Sequence, residues 1–267
     1  MTVQLSGARV LLTGATGGLG HAIARAMHAA GASLTLTGRR ADVLEPLAKE
    51  LSAAAIAADL ASADDVHRVM DEAGRVDILV GNAALPGSGY VLDYTEEEID
   101  QVLDVNLRAP IVMARQAALQ MRERGSGQIV LIGSLSGKAA SEQSAMYNAT
   151  KFGLRGFAHG LRQDLHGSGV GVSIVLPGFV RDAGMFARSG AQPQRGVRTV
   201  TPRAVARGVL LAITRDRAEV SVAPPELRIG ATIASVAPGL AAAVTRRAGG
   251  AQMAGAIADG HRARGMR

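Results

Sequence analysis

Residues 8–20 read ARVLLTGATGGLG and contain the most informative pattern of the chain. They begin as an apolar run of strand length, turn at several glycines, and continue into a helical stripe of Leu19, Ile23 and Met27. Glycines allow a backbone to approach a pyrophosphate closely, and the N-terminus of a helix offers free N–H groups and a partial positive charge. The order of strand, glycine loop and helix therefore predicts a nucleotide-binding site at the end of the first strand.

Strand-length apolar runs alternate with helical patterns along most of the chain. Their continuous apolar character is typical of strands that are buried on both faces. The runs lie at residues 8–14, 33–38, 53–59, 76–82, 127–134, 171–178 and 219–223. Ser62 and Thr95, each followed three residues later by an acid, are predicted to begin two helices. The alternation predicts an α/β fold of the Rossmann type, a doubly wound parallel sheet of about seven strands with helices on both faces.

Composition limits what else the chain can be. Its 267 residues are 48% hydrophobic and fit one large α/β domain. The chain has no cysteine, which excludes disulfides and suits a reducing compartment. The first residues lack the pattern of a signal peptide, so we expect a cytoplasmic protein. The six histidines show no paired spacing such as HExxH, and we therefore predict no metal site.

Positive charge is concentrated towards the C-terminus. Residues 181–267 contain 14 arginines against 5 acidic residues, whereas residues 1–180 contain 15 basic and 18 acidic residues. Such asymmetry can mark a tail that binds nucleic acid or a membrane surface. These arginines are scattered, and Phe186 is the one aromatic residue among them, so a stacking platform for single strands is missing. We expect no nucleic-acid partner.

A candidate proton-transfer pair lies in MYNATK, residues 146–151. Tyr147 and Lys151 are four residues apart in a helical pattern, so their side chains lie on the same face. An unperturbed phenol has a pKa near 10, and a neighbouring ammonium draws that pKa towards neutrality because it stabilises the phenolate. Ser134 ends the strand predicted at residues 127–134, from which its hydroxyl can reach the same edge of the sheet.

Together, the glycine loop, Asn106, Ser134, Tyr147 and Lys151 resemble the short-chain dehydrogenase/reductase superfamily over roughly residues 5–225. The resemblance implies that Tyr147 is the proton donor and acceptor, and that Ser134 holds the substrate oxygen. It implies that Lys151 tunes the tyrosine and binds the nicotinamide ribose. It also implies that Asn106 anchors a water molecule of a proton relay.

The glycine loop fits two spacings of that superfamily. Gly14, Gly18 and Gly20 match TGxxxGxG, which marks the branch of about 250 residues. Gly14, Gly17 and Gly20 match TGxxGxxG, which marks longer epimerases and dehydratases. The length of the chain and the sequence Asn82-Ala83-Ala84 favour the shorter branch.

The resemblance also implies a dinucleotide that lies across the ends of the strands. The residues that it places against this cofactor are Gly14, Thr16, Gly17, Gly18, Leu19, Gly20, Arg39, Arg40, Asp59, Leu60, Asn82, Ala83, Ala84, Tyr147, Lys151, Pro177, Gly178 and Val180. Asn82-Ala83-Ala84 departs from the usual NNAG, and Asp182 replaces a common threonine that hydrogen-bonds the nicotinamide carboxamide. We assign Asp182 no role; Arg181 and Arg188 are its candidate partners.

Two arginines follow the second strand, in LTLTGRR at residues 34–40. Dinucleotide-binding units often have an acid here that holds a ribose hydroxyl. An acid would repel a 2′-phosphate, whereas a guanidinium binds it through paired hydrogen bonds. We therefore expect NADP, with NAD as the alternative, and Arg39 rather than Arg40 as the main contact. In the alternative interpretation, one arginine stacks on adenine and the other is solvated.

Residues 226–267 form a basic, alanine- and glycine-rich extension beyond a catalytic domain predicted for residues 1–225. Its stretch of 17 uncharged residues between Arg228 and Arg246 has Pro238-Gly239 in the middle, so a membrane span is not expected. A broken helix docked on its own subunit or on a partner is favoured, and an interfacial helix on a membrane or a lipid-like substrate is the alternative. Residues 182–199 are predicted to form a mobile lid, in which Met185 and Phe186 favour an apolar substrate.

The sequence thus predicts an NADP(H)-dependent oxidoreductase that interconverts a carbonyl and a secondary alcohol by hydride transfer. An apolar ketone, such as a 3-oxoacyl thioester, is the expected substrate. Relatives assemble through the helices that correspond to about 95–124 and 144–166, which implies a homodimer or homotetramer. The alternatives are a non-catalytic redox sensor that binds a dinucleotide, and an epimerase or dehydratase of the longer branch.

Overall fold

The computed structural model describes residues 3–193, 197–247 and 249–265. These residues form one sheet of seven parallel strands in the order β3-β2-β1-β4-β5-β6-β7. The strands are Arg9–Leu12 (β1), Ser33–Gly38 (β2), Ala54–Ala57 (β3), Ile78–Gly81 (β4), Gly127–Ile132 (β5), Val170–Pro177 (β6) and Glu219–Val222 (β7). Each strand overlaps its predicted apolar run, and the predicted seven-stranded parallel sheet is confirmed.

Helices connect the strands and continue beyond the last one. The α-helices are Gly18–Ala29 (α1), Ala41–Glu50 (α2), Ala63–Ala73 (α3), Glu96–Leu103 (α4), Ala109–Arg124 (α5), Ala145–Asp164 (α6), Gly184–Ser189 (α7), Pro202–Thr214 (α8), Pro225–Val236 (α9), Pro238–Arg247 (α10) and Gly250–Arg262 (α11). A π-helical turn, Asp104–Arg108, joins α4 to α5. Both predicted helix starts are confirmed, since the side chains of Ser62 and Thr95 cap α3 and α4.

Side chains of the central strands alternate between two helical layers. Leu11 of β1 and Leu79 of β4 belong to the core formed with α3, α5 and α6, whereas Leu12 and Val80 belong to the core formed with α1, α2 and α8. All four side chains are fully buried. Both faces of the sheet are covered, which explains why the strands are apolar at consecutive positions.

The direction of strand order reverses between β1 and β4. Open α/β sheets bind their ligands in the crevice at such a reversal, beyond the carboxyl ends of the strands. The glycine loop follows β1, and Asn82 follows β4, so both lie at this point. Thr13 joins them, because its side-chain oxygen accepts hydrogen bonds from the N–H groups of Asn82 and Ala83 at 2.9 and 3.0 Å.

The C-terminal extension contains the helices α9, α10 and α11. α9 ends at Val236 and α10 begins at Pro238, which has no N–H and restricts the backbone before it, so the helix is broken where the sequence predicts. None of the helices in the described ranges is long and apolar enough to cross a membrane. The division of the chain after residue 225 stays a prediction. Part of the predicted lid, residues 194–196, lies outside the described residues.

Replacing Leu79 by alanine should lower the free energy of unfolding by about 2–5 kcal/mol, because it leaves a cavity beneath the central strand β4. The matched control is Leu92→Ala, whose side chain is 94% exposed and whose loss should cost less than about 0.5 kcal/mol. Urea denaturation measures both values. Equal losses would contradict the position of β4 at the centre of the sheet.

Candidate active site

Two glycines of the loop are required by contacts within the protein. Gly14 has a φ of +64°, and a Cβ there would lie 2.7 Å from the Cα of Ala83. A Cβ on Gly20 would lie 2.8 Å from the Cα of Ala15. Both distances are shorter than side chains tolerate, so these glycines allow the ends of β1 and β4 and the start of α1 to pack closely.

Gly17 and Gly18 differ in what surrounds them. A Cβ on Gly18 would lie 2.7 Å from the Cβ of Ala183, the residue that precedes α7. A Cβ on Gly17 would make an ordinary contact of 3.5 Å with the carbonyl oxygen of Gly14. The positions that exclude a side chain are therefore Gly14, Gly18 and Gly20, the set that matches TGxxxGxG.

The start of α1 fits a pyrophosphate. Gly17 is the N-cap residue, and in the described chain no side chain caps this helix. The N–H groups of the first turn therefore remain available to an anion, which the helix dipole also favours. Leu19 lies in this first turn, and Thr16 precedes it in the loop. The residues at this end of β1 thus fit the phosphates of a dinucleotide.

Arg40 is held beside the glycine loop. Its Nη2 donates a hydrogen bond of 2.6 Å to the carbonyl oxygen of Thr16. Gly38 allows this approach, because a Cβ there would lie 2.9 Å from the Oγ1 of Thr16. Arg39 is exposed and makes no hydrogen bond or ion pair with another described residue. The sequence favours Arg39 as the main contact of the cofactor, whereas the structure gives a fixed position to Arg40.

Gly81, the last residue of β4, explains one departure from the family pattern. It stands where the usual NNAG has its first asparagine. A Cβ on Gly81 would lie 2.9 Å from the Cδ2 of Leu131 on the neighbouring strand, so no asparagine fits there unless Leu131 moves. Asn82 follows, and its side-chain N–H groups donate to the carbonyl oxygens of Thr13 and Gly14 at 3.0 and 3.1 Å. Asn82 thereby holds the glycine loop in place.

The other residues predicted to contact the cofactor lie at the same edge of the sheet. Asp59 and Leu60 follow β3, and the carboxylate of Asp59 accepts a hydrogen bond of 3.1 Å from the N–H of Ala61. Pro177 ends β6, and Gly178 then donates its N–H to the carbonyl oxygen of Val222 at 3.0 Å. Val180 is buried and pairs with Val200. Direct contact of these residues with a cofactor stays a prediction.

Ser134, Tyr147 and Lys151 meet beyond the end of β5. The side chain of Ser134 lies beside the hydroxyl of Tyr147 and lowers its pKa. The Oγ of Ser134 also accepts a hydrogen bond of 3.1 Å from the N–H of Ser136. The Nζ of Lys151 lies 5.5 Å from the centre of the Tyr147 ring and donates to the carbonyl oxygen of Ile132 at 3.0 Å. The structure therefore brings the three predicted catalytic side chains together.

Burial dominates the protonation of this pair. It raises the pKa of Tyr147 above its ordinary value, and the neighbouring Ser134 offsets part of that rise. It also lowers the pKa of Lys151 to about 8. The sequence predicts a phenol whose pKa is drawn down by Lys151, whereas in the folded protein the loss of hydration raises it. Tyr147 is consequently a protonated phenol at neutral pH, the form that can donate a proton.

Asn106 lies in the π-helical turn and is fully buried. Its Oδ1 accepts from the N–H of Leu85 at 2.6 Å, and its Nδ2 donates to the carbonyl oxygen of Leu85 at 2.9 Å. The side chain thus clamps the segment that follows β4. A role in a proton relay stays a prediction.

Asp182 faces solvent. It has a φ of +66°, its side chain is 70% exposed, and it forms an ion pair of 3.4 Å with Arg181. Of its two candidate partners, the structure thus selects Arg181. This arrangement keeps the carboxylate exposed to water, which screens its charge.

The C-terminal helix α11 makes a contact near the site that the sequence does not predict. His261 of α11 is 3% exposed; its Nδ1 lies 2.6 Å from the Oγ of Ser88, and its Nε2 lies 2.9 Å from the carbonyl oxygen of Met185. A neutral ring that is protonated on Nε2 satisfies both contacts, because it donates to Met185 and accepts from Ser88. α11 therefore connects α7 to the segment that follows β4. A single histidine in a tail gives no sequence signal for such a bridge.

Comparison with known proteins identifies the family. The model of the family described as short chain dehydrogenase matches residues 8–194. This chain belongs to the short-chain dehydrogenase/reductase superfamily. The predicted family is confirmed, as is the predicted class of enzyme, an oxidoreductase that acts on CH–OH and ketone groups.

Three similar proteins illustrate the relationship. Ketoacyl reductase HetN of Nostoc sp. is 35% identical over 227 residues, which are 82% of this chain and 79% of that protein. The 3-oxoacyl-acyl-carrier-protein reductase FabG of Rickettsia conorii is 32% identical over 181 residues, 67% of this chain and 75% of that protein. The solved structure of a short-chain dehydrogenase from Sphingobium yanoikuyae in complex with NADPH is 29% identical, with a TM-score of 0.75, and the match covers 87% of this chain and 94% of that one.

Docking of α11 should weaken in acid. Burial lowers the pKa of His261 below its ordinary value of 6.5, and Arg188 and Arg264 act in the same direction, against the hydrogen bond with Met185. The docked state therefore binds fewer protons than the undocked one, so docking is complete above about pH 6.5 and weakens as the pH falls below it, by up to about 1.4 kcal/mol for each pH unit. Hydrogen exchange of α7 and α11 between about pH 7.5 and pH 5.5 measures this change.

His261→Gln keeps a donor and an acceptor but does not titrate, so it should remove the acid-induced exchange in α7 and α11. The control His28→Gln alters an exposed histidine of α1 and should leave it unchanged. Exchange that depends on pH equally in both variants would contradict the assignment to His261.

Proposed function

We propose that this protein is an NADP(H)-dependent oxidoreductase that interconverts an apolar ketone and a secondary alcohol. The observation that carries the proposal is the placement of the Ser134 and Tyr147 hydroxyls beside the buried ammonium of Lys151. A hydroxyl pair held next to a fixed positive charge can move a proton to or from a substrate oxygen.

The side chains divide the chemistry between them. When bound, a nicotinamide dinucleotide supplies or accepts the hydride. In the direction of reduction, Tyr147 donates its phenolic proton to the carbonyl oxygen, and Ser134 donates a hydrogen bond to the same oxygen. Lys151 stabilises the phenolate that remains. In the direction of oxidation, the phenolate accepts the proton of the alcohol.

Lys151 also supports binding of the cofactor. An ammonium has three N–H donors, and among the described residues the one acceptor is the carbonyl oxygen of Ile132. Two donors are left for water or for the hydroxyls of a bound ribose. We assign them to the nicotinamide ribose, which agrees with the role that the family resemblance implies.

The choice of NADP is supported by charge. Arg39 and Arg40 follow β2 where an acid would select NAD, and the position of Arg40 beside Thr16 places a guanidinium next to the glycine loop. The similar Sphingobium dehydrogenase is described in complex with NADPH. We take Arg40 as the main contact of the 2′-phosphate and Arg39 as a second one.

An apolar substrate is supported by the residues near α7. The rings of Phe179 and Phe186 pack with their centres 4.9 Å apart, and Met185 precedes Phe186 in α7. HetN and FabG are named as reductases of ketoacyl and 3-oxoacyl compounds. We therefore favour a 3-oxoacyl thioester as the substrate.

A homodimer or homotetramer that assembles through α5 and α6 is also part of the proposal, because Leu119 and Phe152 are exposed there.

Tyr147→Phe should lower the turnover of NADPH with a 3-oxoacyl thioester by about 10²–10⁴-fold, because it removes the proton donor. Binding of NADPH, followed by quenching or enhancement of its fluorescence, should persist. The control Tyr90→Phe removes the hydroxyl of an exposed tyrosine and should leave turnover unchanged. Unaltered turnover in Tyr147→Phe would refute the mechanism, and tight NADPH binding without turnover of any carbonyl by the native protein would indicate a redox sensor.

Arg40→Gln should weaken binding of NADPH at least about tenfold, because a charge-assisted hydrogen bond is lost, and should leave the binding of NADH nearly unchanged. Arg39→Gln, one residue away, is the matched comparison and should have the smaller effect. Titration of both cofactors by fluorescence gives the two ratios. A native protein that binds NADH and NADPH equally well would overturn the choice of NADP.

A further inference from the structure

Two helices of the extension present large apolar side chains to solvent. Ile229, Ile233 and Val236 follow one another at spacings of four and three residues on α9, where they are 61%, 46% and 80% exposed. Leu240 and Val244, four residues apart on α10, are 63% and 56% exposed. Each helix therefore has an apolar stripe on its outer face, and these five side chains define the α9–α10 surface.

The inner face of α9 is made of smaller contacts. Ala231 is 5% exposed, and the Cδ1 of Leu227 would lie 3.6 Å from a Cβ on Gly178 at the end of β6. The helix thus buries an alanine and exposes two isoleucines and a valine. A helix that packed only against its own domain would have the opposite arrangement, so the outer stripe marks a surface for interaction.

Positive charge lies at both ends of the α9–α10 surface. Arg228 lies near its start on α9, and Arg246 and Arg247 lie at the end of α10. All three arginines are exposed and pair with no carboxylate of the described chain. Glu226, in the first turn of α9, is paired with Arg198, and residues 227–258 contain no acidic residue. The α9–α10 surface therefore combines an apolar centre with basic ends and has no negative charge of its own.

We propose that the α9–α10 surface docks on an anionic membrane. The five apolar side chains would enter the boundary between headgroups and acyl chains, and the three arginines would contact anionic headgroups. The helices would lie in the plane of the membrane.

A second copy of the chain is the less suitable occupant. A twofold contact brings the same surface of two molecules together. Because this surface has arginines and no acid, such a contact would place like charges near each other without compensation. An anionic lipid surface supplies the missing negative charge.

Sedimentation of the full-length protein with vesicles tests the proposal. Vesicles of phosphatidylcholine with about 30% phosphatidylglycerol should bind the protein, and pure phosphatidylcholine vesicles should bind it at least about tenfold more weakly. Binding to the anionic vesicles should fall as salt is added. Neither result depends on the proposed enzymatic function, because no substrate or cofactor is present.

Two variants separate the apolar and the basic contributions. Ile233→Asp should lower vesicle binding at least about tenfold, since a charge would have to enter the acyl boundary. Its control is Leu211→Asp on α8, where the leucine is 45% exposed, almost as much as Ile233. The double variant Arg246→Gln, Arg247→Gln leaves the apolar stripe intact and should also weaken vesicle binding about tenfold or more. Its control is the double variant Arg215→Gln, Arg217→Gln, which should leave vesicle binding unchanged.

Three results would overturn the proposal. The first is failure of the native protein to bind anionic vesicles. The second is equal weakening by the matched control variants. The third is a native oligomer, measured by light scattering, that Ile233→Asp converts to a smaller species while vesicle binding is absent; that result would assign the α9–α10 surface to a second copy of the chain.

Discussion

The site depends on an ammonium group that is buried at the end of a parallel sheet. Lys151 is 2% exposed, and its Nζ donates one hydrogen bond, of 3.0 Å, to the carbonyl oxygen of Ile132. Burial of a charge is costly unless hydrogen bonds compensate it, and here burial lowers the pKa of the group to about 8. The backbone of β5 supplies the hydrogen bond, and one face of α6 holds the lysine. A positive charge is thereby fixed beside Tyr147 and Ser134.

The regular part of the fold could be predicted because local patterns and burial agree. Continuous apolar runs predict strands that are covered on both faces, and the two cores that receive Leu11 and Leu12 from opposite sides confirm this. The spacing of Tyr147 and Lys151 was informative for the same reason, since one helical turn places both on one face of α6. Patterns of short range therefore suffice for the sheet and for the arrangement of the catalytic side chains.

Features that depend on contacts between distant segments could not be predicted. His261 contacts Ser88 and Met185, which lie 173 and 76 residues away in the chain, and no local pattern records that. The position of Arg40 rather than Arg39 beside Thr16 follows from how β2 and the glycine loop approach each other. The pKa of Tyr147 is raised, whereas the sequence predicts that it is lowered. Burial of the phenol causes the rise, and burial is a property of the folded chain.

In the proposed reaction, Tyr147 transfers a proton to a ketone with the help of Ser134 and Lys151 while NADPH is oxidised. A single-turnover reaction of the purified protein with NADPH and a 3-oxoacyl thioester tests it most directly, with the nicotinamide followed by absorbance and the product by mass spectrometry. We expect NADPH to be consumed mole for mole with formation of the 3-hydroxyacyl thioester. Bound NADPH that stays reduced in the presence of that thioester and of other apolar ketones would contradict it.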